Sequence, residues 1–407
     1  MAKKQISIKL LQVGMHIVKL DIPWMDSPFF RNQLTIKKQD EISKLVESGV
    51  KSVTIDTEKG IDVAGQVEVV DNTDEQDAPE SEPELASDQN VPLDKELEIA
   101  KALKNSFITF SEEINESLKN EEPVDFQLVY PMIESTIHSL KRNDQAMMTL
   151  VNMQRNSAGL SEHAFATFSL SINTAIKMGY PKEEQEIIGI AALLHDTGWL
   201  KLPQNLLSKN KAFNESEQAL SQQHIAIGLK VLTSSGSIPA LSARIIEEHH
   251  ESNDGSGYPS GLTNLDIHPL SQLFRVIDFY DELVHGLLDR PALTPNGALS
   301  VIYKDTIAGT LSSDVFSAFV STLSVYPIGS VVLLSSNEKA VVCEINRDHA
   351  KQPKVKVFYD ASSIAHSEPR LVDLSKQNLD AVLSIQKVLD VHEEGVDPCH
   401  LLELRVE

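Results

Sequence analysis

The chain has 407 residues, of which 41% are hydrophobic and 23% are charged. A chain of this length and composition can bury one or two sizeable cores without disulfides or obligatory oligomerisation. Its formal net charge of −23 argues against extensive electrostatic binding to duplex nucleic acid, because such binding requires many contacts from Lys and Arg to phosphate. An anionic ligand would have to be bound by metal ions or by a few cationic side chains close to it.

Cysteine usage and hydropathy indicate the compartment. The two cysteines, Cys343 and Cys399, are too few for a disulfide scaffold and indicate reducing surroundings. The basic start at residues 1–4 is followed by a sequence that polar residues interrupt, so no signal-peptide core forms. No uninterrupted apolar run is long enough to span a bilayer. We therefore expect a cytoplasmic protein without a membrane span.

The N-terminal segment, residues 1–59, predicts a small α+β domain. A short alternating apolar run begins at Ile6, a helical pattern covers residues 40–49, and residues 51–56 have the pattern of a strand. The next segment, residues 60–93, contains many acidic residues and no Lys or Arg. Low hydrophobicity with charge of one sign predicts a disordered linker that repels itself.

Helical periodicity dominates residues 94–325. Apolar stripes at residues 97–110 and 129–140 predict two lead-in helices. At least five more helical patterns follow between residues 160 and 323, with only loop-forming residues between them. This segment is therefore predicted to be an all-helical domain.

The last segment, residues 326–407, has a different pattern. β-Branched runs occur at residues 330–334, 339–345 and 354–359, and the turn residues 335–338 between the first two are typical of a hairpin. The predicted fold is therefore mainly α: a helical domain flanked by a small α+β domain and a β-rich C-terminal extension.

The helical segment also holds an unusual group of polar side chains. Imidazoles and carboxylates are the ligands that hold divalent transition metals. Five of the thirteen histidines occur here with two carboxylates, at separations that helices can bring together: His163, His195, Asp196, His224, His249, His250 and Asp278. Adjacent residues on a helix point about 100° apart. The pairs His195-Asp196 and His249-His250 can therefore each contact two neighbouring ions. A binuclear site is thus geometrically reasonable.

For each of these histidines, a structural role in the core is the alternative to metal binding. A single inward-facing histidine is more often a satisfied core group than a metal ligand. Five of them together with two carboxylates are different, because burying such groups without partners costs free energy. The other histidines lack such neighbours and are expected to be surface or structural residues: His16, His138, His268, His285, His349, His366, His392 and His400.

This ordered set resembles the HD-GYP family, a bacterial branch of the HD metal-dependent phosphohydrolases. The likeness is carried by the ligand set, by the pair His195-Asp196 and by the loop Asp254-Gly255-Ser256-Gly257-Tyr258-Pro259. The N-terminal segment is similar to the small domain of unknown role that often precedes HD-GYP domains. The intact Gly-Tyr-Pro makes the resemblance specific.

The resemblance implies a site with two divalent ions, iron or manganese. One ion would take His163, His195, Asp196 and Asp278, and the other would take Asp196, His224, His249 and His250. Asp196 would bridge them and so be the central catalytic residue. Asp254 would be a hydrogen-bonding partner for a ligating imidazole, and the substrate loop would be shaped by Gly257, Tyr258 and Pro259.

The activity that the resemblance implies is hydrolysis of cyclic dinucleotides in second-messenger signalling. The main expectation is a phosphodiesterase that converts cyclic di-GMP to linear pGpG and, in some members, to GMP. One alternative is a sensor or adaptor that binds the dinucleotide, or a signalling protein partner, with scarcely any turnover. The other is a phosphodiesterase for a mixed cyclic GMP-AMP dinucleotide.

The chain departs from the family pattern at three places. Trp199 stands where the family has a lysine that reaches a substrate phosphate, and Lys201 could replace it only if the loop rearranges. An indole here is typically a core residue, with stacking on a guanine as the alternative. Gly159 stands where some members have a glutamate that binds a third metal, which predicts two ions here. An insertion precedes Arg290, for which the resemblance implies a phosphate contact.

Overall fold

The chain divides into two compact units, Met1–Ser87 and Asp88–Glu407. Most of the predicted acidic linker and the residue Arg290 lie outside the described residues, and the finer division into four segments stays a prediction. The computed structural model describes residues 3–21, 34–57, 59–61, 91–153, 159–207, 209, 211–286, 292–323, 325–346, 349, 351–377, 382–389, 394, 396 and 398–402.

The first unit is an antiparallel sheet with one helix. Its elements are β1 (Lys3–Ser7), β2 (His16–Leu20), β3 (Leu34–Thr35), α1 (Gln39–Glu47) and β4 (Ser52–Asp56), with the strands in the order β1-β4-β2-β3. Val53 and Ile55 of β4 are buried while their neighbours are half-buried, as the alternation of a strand requires. Gly49 lies just beyond α1 in the left-handed region. The predicted α+β domain is confirmed.

The second unit begins with helices. Their bounds are α2 (Leu93–Lys119), α3 (Tyr130–Met153), α4 (Leu160–Lys177), α5 (Lys182–Leu194), α6 (Gln204–Leu207), α7 (Glu215–Ser221), α8 (His224–Ser235), α9 (Ala240–Glu248), α10 (Pro269–His285), α11 (Pro295–Ala308) and α12 (Ser313–Leu323). The mainly helical fold is therefore confirmed. Across the described residues, each helix is too short or too polar to cross a membrane.

Helix α4 is the centre of this bundle. Phe165 and Phe168 are buried and pack on Phe107 of α2, with ring centroids 5.5 and 4.7 Å apart. Helices α3, α5, α10 and α12 also pack against α4. Because neighbours surround it, nearly every side chain of α4 is buried, including the polar His163. A polar residue in such a position needs a partner inside the bundle.

A five-stranded antiparallel sheet follows the helices, in the order β8-β7-β6-β5-β9. Its elements are β5 (Val331–Leu334), β6 (Lys339–Glu344), β7 (Lys354–Tyr359), β8 (Ala365–Asp373) and β9 (Ile385–Val388), and a short helix α13 (Pro398–Leu402) comes after them. The predicted hairpin joins β5 to β6, with Asn337 in the left-handed region. The sequence pattern missed β8, whose residues are largely exposed, and β9.

Candidate metal centre

Five elements of the bundle deliver the predicted ligands to one buried place. His163 lies in the first turns of α4, and His195 follows the last residue of α5. His224 begins α8, His249 follows the last residue of α9, and Asp278 lies in the middle of α10. Most of these side chains lie at helix ends. Imidazoles can therefore meet from several directions, and no helix has to pass through the site.

The first cluster consists of His163, His195 and Asp278, all buried. The two imidazole Nε2 atoms lie 3.0 Å apart, and Asp278 Oδ1 lies 3.1 Å from that of His163 and 3.4 Å from that of His195. Hydrogen bonds from the two imidazoles outweigh burial and hold the pKa of Asp278 well below its ordinary value. The carboxylate is therefore an anion facing two imidazoles.

The outer nitrogens of this cluster are already occupied. His163 Nδ1 donates to Asp281 Oδ2 at 2.7 Å, and His195 Nδ1 donates to the carbonyl of Ala192 at 3.0 Å. With a proton on each Nδ1, a cation that displaces the Nε2 proton would find the Nε2 lone pairs directed into the cluster. A hydrogen-bonded carboxylate or carbonyl of this kind fixes the tautomer and orientation of a ligating histidine.

The second cluster consists of His224, His249 and His250, also buried. The Nε2 atoms of His224 and His249 lie 3.2 Å apart. Their Nδ1 atoms donate to the carbonyls of Ser221 and Ile246, at 2.7 and 2.6 Å. Burial lowers the pKa of His249 to about 3. These imidazoles are therefore neutral, with lone pairs that converge.

Asp196 lies between the two clusters. Its Oδ2 is 3.5 Å from His195 Nε2 and 3.6 Å from His163 Nε2, while its Oδ1 is 3.7 Å from His224 Nε2. One oxygen thus faces each cluster, which is the arrangement of a bridging carboxylate. Its side chain keeps 15% exposure, whereas the imidazoles near it keep 3% or less. Asp196 is therefore the member of this group that a substrate in solution can reach.

The donor set fits divalent ions of the iron or manganese kind. Nitrogen lone pairs that converge at about 3 Å repel each other unless a cation or a proton lies between them. Asp278 Oδ2 is buried and makes no hydrogen bond within the described part of the chain. Mixed imidazole and carboxylate donors suit iron, manganese or zinc, and softness alone does not choose among them. The residues present can hold such ions.

Gly198 allows the helix that carries His224 to approach. A Cβ on Gly198 would lie 1.8 Å from the backbone oxygen of His224, so only glycine fits. Gly198 lies in the 3₁₀ turn Thr197–Lys201, on which the start of α8 packs. The glycine of the motif therefore positions the second cluster rather than ending a helix.

Trp199 is part of the core. Its side chain is 1% exposed, packs with Leu202 and Leu206, and stacks on the His224 ring at 5.3 Å between centroids. Because the indole is covered, the alternative in which it stacks on a guanine is wrong for this conformation. Trp199 instead supports a candidate metal ligand from behind.

The Gly-Tyr-Pro loop is anchored directly to the second cluster. The Tyr258 ring stacks on the His250 ring at 4.7 Å, and the amide of Tyr258 donates to the carbonyl of His250. A Cβ on Gly257 would lie 2.3 Å from the amide nitrogen of Ser252, so the loop passes close to the backbone after α9. The Glu251 carboxylate accepts hydrogen bonds from three amides of the loop, those of Ser260, Gly261 and Leu262.

Two expected residues lie apart from the ligands. Lys201 donates to Glu121 and to the carbonyl of Lys119, so it does not take the place of the missing motif lysine. Asp254 is exposed, and its carboxylate accepts from Ser256 at 2.6 and 3.1 Å. The expected pairing of Asp254 with an imidazole is therefore wrong. Asp281 has that role for His163.

Three residues of α10 near the site were missed by sequence reasoning: Arg275, Asp281 and Glu282. Arg275 lies 3.5 Å from His250 Nδ1 and over the ring of Phe279. Asp281 bonds to His163, and Glu282 lies with His250 and Asp278 in a third group of potential ligands. Their spacing of three or four residues from Asp278 is the signal that could have found them, because such residues share a helix face.

Comparison with protein families agrees with this geometry. Residues 3–129 match a family described as a domain of unknown function, DUF3391, and residues 127–307 match the HD domain. The HD match includes every candidate ligand. This chain is therefore similar to HD-domain proteins over its helical segment. Its N-terminal segment is similar to the matched domain of unknown function.

Several of the curated proteins similar to this chain are named as cyclic-dinucleotide phosphodiesterases. Cyclic di-GMP phosphodiesterase PA4108 of Pseudomonas aeruginosa is 28% identical over 375 residues, which cover 92% of this chain and 89% of the relative. Cyclic di-GMP phosphodiesterase of Thermotoga maritima is 36% identical over 37% of this chain and 41% of the relative. 3′3′-cGAMP-specific phosphodiesterase 1 of Vibrio cholerae is 25% identical over 51% of each.

Among solved structures, Bd1817, a HDG"Y"P protein from Bdellovibrio bacteriovorus, is similar with a TM-score of 0.45 and 18% identity. The similarity covers 78% of this chain and 98% of that chain. A likeness of this size does not bear on function.

Proposed function

We propose that this chain is a metal-dependent phosphodiesterase that opens cyclic di-GMP to linear pGpG. One observation carries the proposal: two buried ligand clusters face the two oxygens of Asp196, beside an intact Gly-Tyr-Pro loop. The names of the relatives in Pseudomonas aeruginosa and Thermotoga maritima support the substrate. A role in second-messenger signalling follows from that substrate.

Each cluster would hold one ion, iron or manganese. His163, His195 and Asp278 would hold the first, His224, His249 and His250 the second, and Asp196 would contact both. In phosphodiester hydrolysis such ions supply a nucleophile at neutral pH and stabilise the charge of the phosphoryl oxygens. Asp281 would keep the Nδ1 proton of His163 in place, so that its Nε2 lone pair stays available.

The overall reaction adds water to one phosphorus of the ring. The bond from that phosphorus to the 3′ oxygen breaks, the 3′ oxygen ends with a proton, and the product keeps its phosphate on the 5′ side. Asp196 is the exposed ligand around which this exchange would occur. Tyr258 and Pro259 would form one wall of the substrate site, with Gly257 allowing the loop to lie close to the cluster.

Arg275 would provide the phosphate-binding charge that the family lysine provides elsewhere. Its guanidinium lies beside His250 and is held over the Phe279 ring, 4.8 Å from the centroid. Its Nε is buried and has no hydrogen-bond partner within the described residues. By contrast, Lys201 is engaged by Glu121. Charge-assisted hydrogen bonds from a guanidinium suit phosphate oxygens. Arg290 would be a further phosphate contact, as the family resemblance implies.

The experiment compares substrates and metal states of the purified full chain. Protein loaded anaerobically with Mn²⁺ or Fe²⁺ is mixed with cyclic di-GMP or with 3′3′-cGAMP, and products are separated by chromatography beside chelator-treated protein. We expect metal-dependent pGpG, with cyclic di-GMP consumed faster than 3′3′-cGAMP. Faster consumption of 3′3′-cGAMP would identify the mixed dinucleotide as the substrate and contradict the proposal of cyclic di-GMP.

A binding measurement on the same samples separates enzyme from adaptor. The buried indole at position 199, in place of a cationic side chain, favours the adaptor as the second candidate. Tight binding of cyclic di-GMP without metal-dependent product would establish an adaptor and contradict the enzyme.

A further inference from the structure

A third group of potential ligands lies next to the two clusters. It consists of His250, Asp278 and Glu282, each offering one ligand atom, and these atoms all lie within 4.8 Å of one another. All three residues are buried. The group shares His250 with the second cluster and Asp278 with the first, but Glu282 belongs to neither.

The position of Glu282 follows from helix geometry. It comes four residues after Asp278 on α10, so both carboxylates lie on one face of this helix, one turn apart. His250 reaches the same place from the end of α9. Three side chains from two elements therefore surround one point.

Asp278 has an oxygen available for this group. Its Oδ1 is engaged by His163 and His195, at 3.1 and 3.4 Å. Its Oδ2 is buried and makes no hydrogen bond to any residue that the structure describes. A buried carboxylate oxygen without a donor is costly, and a coordinated cation removes that cost.

Charge gives a second reason for a cation here. Two buried carboxylates within this distance repel each other, and a cation between them offsets that repulsion. The imidazole of His250 borders the same point but is shared with the second cluster, so the donors specific to this position are two carboxylate oxygens. Two oxygen donors form a partial coordination sphere that suits manganese or iron and leaves positions for water or substrate oxygens.

We propose that Glu282 is a metal ligand and that it forms, with His250 and Asp278, a third divalent-cation position. This proposal rests on the metal part of the proposed function and not on its substrate. The absence of a glutamate at Gly159 predicted two ions. The structure offers the additional carboxylate from α10 instead.

Ion counting tests the proposal. Metal-free full-length protein is equilibrated by dialysis with Mn²⁺, and bound manganese per chain is measured by elemental analysis. We expect three ions in the unaltered protein and two in Glu282→Gln. The matched control is Glu248→Gln, because Glu248 is a buried glutamate whose oxygens are held by Arg244 and the amide of His268. The control should keep three ions.

The outcomes decide between the proposals. Two ions in the unaltered protein, or equal counts and affinities in Glu282→Gln, would overturn the third position. If Glu282→Gln does not fold, Glu282→Asp retains the carboxylate and must bind the third ion at least about 10-fold more weakly than the unaltered protein. Three ions without hydrolysis would leave this inference standing while the proposed activity failed, and hydrolysis with two ions would do the reverse.

Discussion

The two ligand clusters are built from the same fold but have different electrostatics. In the first cluster, carboxylates bond to His163, and these hydrogen bonds, with Asp278 and Asp281, outweigh burial and raise its pKa well above the ordinary value. In the second cluster, burial and the neighbouring imidazoles lower the pKa of His250 well below the ordinary value. The first cluster pairs a carboxylate with imidazoles that bind protons, whereas the imidazoles of the second cluster are neutral.

This difference would make the two clusters unlike metal positions. Cations would compete with protons at the first cluster, where carboxylates stabilise buried positive charge. At the second cluster, backbone carbonyls orient neutral imidazoles that are ready to bind. Asp196 is the group that faces both, so changes at Asp196 should affect both clusters, while changes elsewhere should affect one.

The largest effect is expected from Asp196→Ala. Removing the carboxylate that faces both clusters should reduce the turnover of cyclic di-GMP by about 10³-fold or more, because both ions lose a ligand and their alignment. Initial rates of pGpG formation by the Mn²⁺-loaded protein measure this. Asp314→Ala, at an exposed position on α12, is the control and should leave the rate unchanged. A loss of less than about 10-fold at Asp196 would show that it does not join the clusters.

Asp281→Asn should affect the first cluster alone. The neutral amide oxygen accepts the hydrogen bond from His163 Nδ1 more weakly than a carboxylate does, so Mn²⁺ affinity at that cluster should fall about 10- to 100-fold. Calorimetric titration with Mn²⁺ should show one weakened class of sites and one unchanged class. Equal weakening of every site, or no weakening at all, would contradict the distinction between the clusters.

Arg275→Gln should change substrate binding and leave metal binding intact. Losing one charge-assisted contact to phosphate should raise KM about 10-fold. Arg275→Lys should recover part of this loss because it keeps the charge. Steady-state kinetics at saturating Mn²⁺ measure both variants. If KM stays constant in Arg275→Gln, another group binds the phosphate.

Trp199→Phe should have the smallest effect on activity. The smaller ring leaves space behind His224 and should lower the free energy of unfolding by about 1 to 3 kcal/mol, with turnover little changed. Urea unfolding and initial rates check the two parts. A large loss of affinity for cyclic di-GMP, with the free energy of unfolding unchanged, would instead indicate that the indole binds a base.

Much of the site could be predicted because its ligands come from residue types with few other reasons to be buried together. His195-Asp196 and His249-His250 are adjacent pairs at helix ends, and the structure brings them together with His163, His224 and Asp278. Their roles as metal ligands remain predictions. The helical domain and part of each small sheet were also predictable, because those elements keep a regular period, whereas β8 and β9 were missed.

What the sequence could not give was the pairing between helices. The resemblance implied Asp254 as the partner of an imidazole, but the loop turns its carboxylate toward Ser256. The partner, Asp281, is 118 residues from His163 along the chain. Likewise, only the packing of α8 on the turn at Gly198 shows why Trp199 lies behind His224 and not in the substrate site.

The central claim is that the two clusters form one metal site joined by Asp196. Electron paramagnetic resonance of the Mn²⁺-loaded protein tests it most directly, because neighbouring ions bridged by a carboxylate are magnetically coupled. We predict a coupled spectrum for the unaltered protein and loss of that coupling in Asp196→Ala. A spectrum of isolated, uncoupled Mn²⁺ in the fully loaded, unaltered protein would contradict the account.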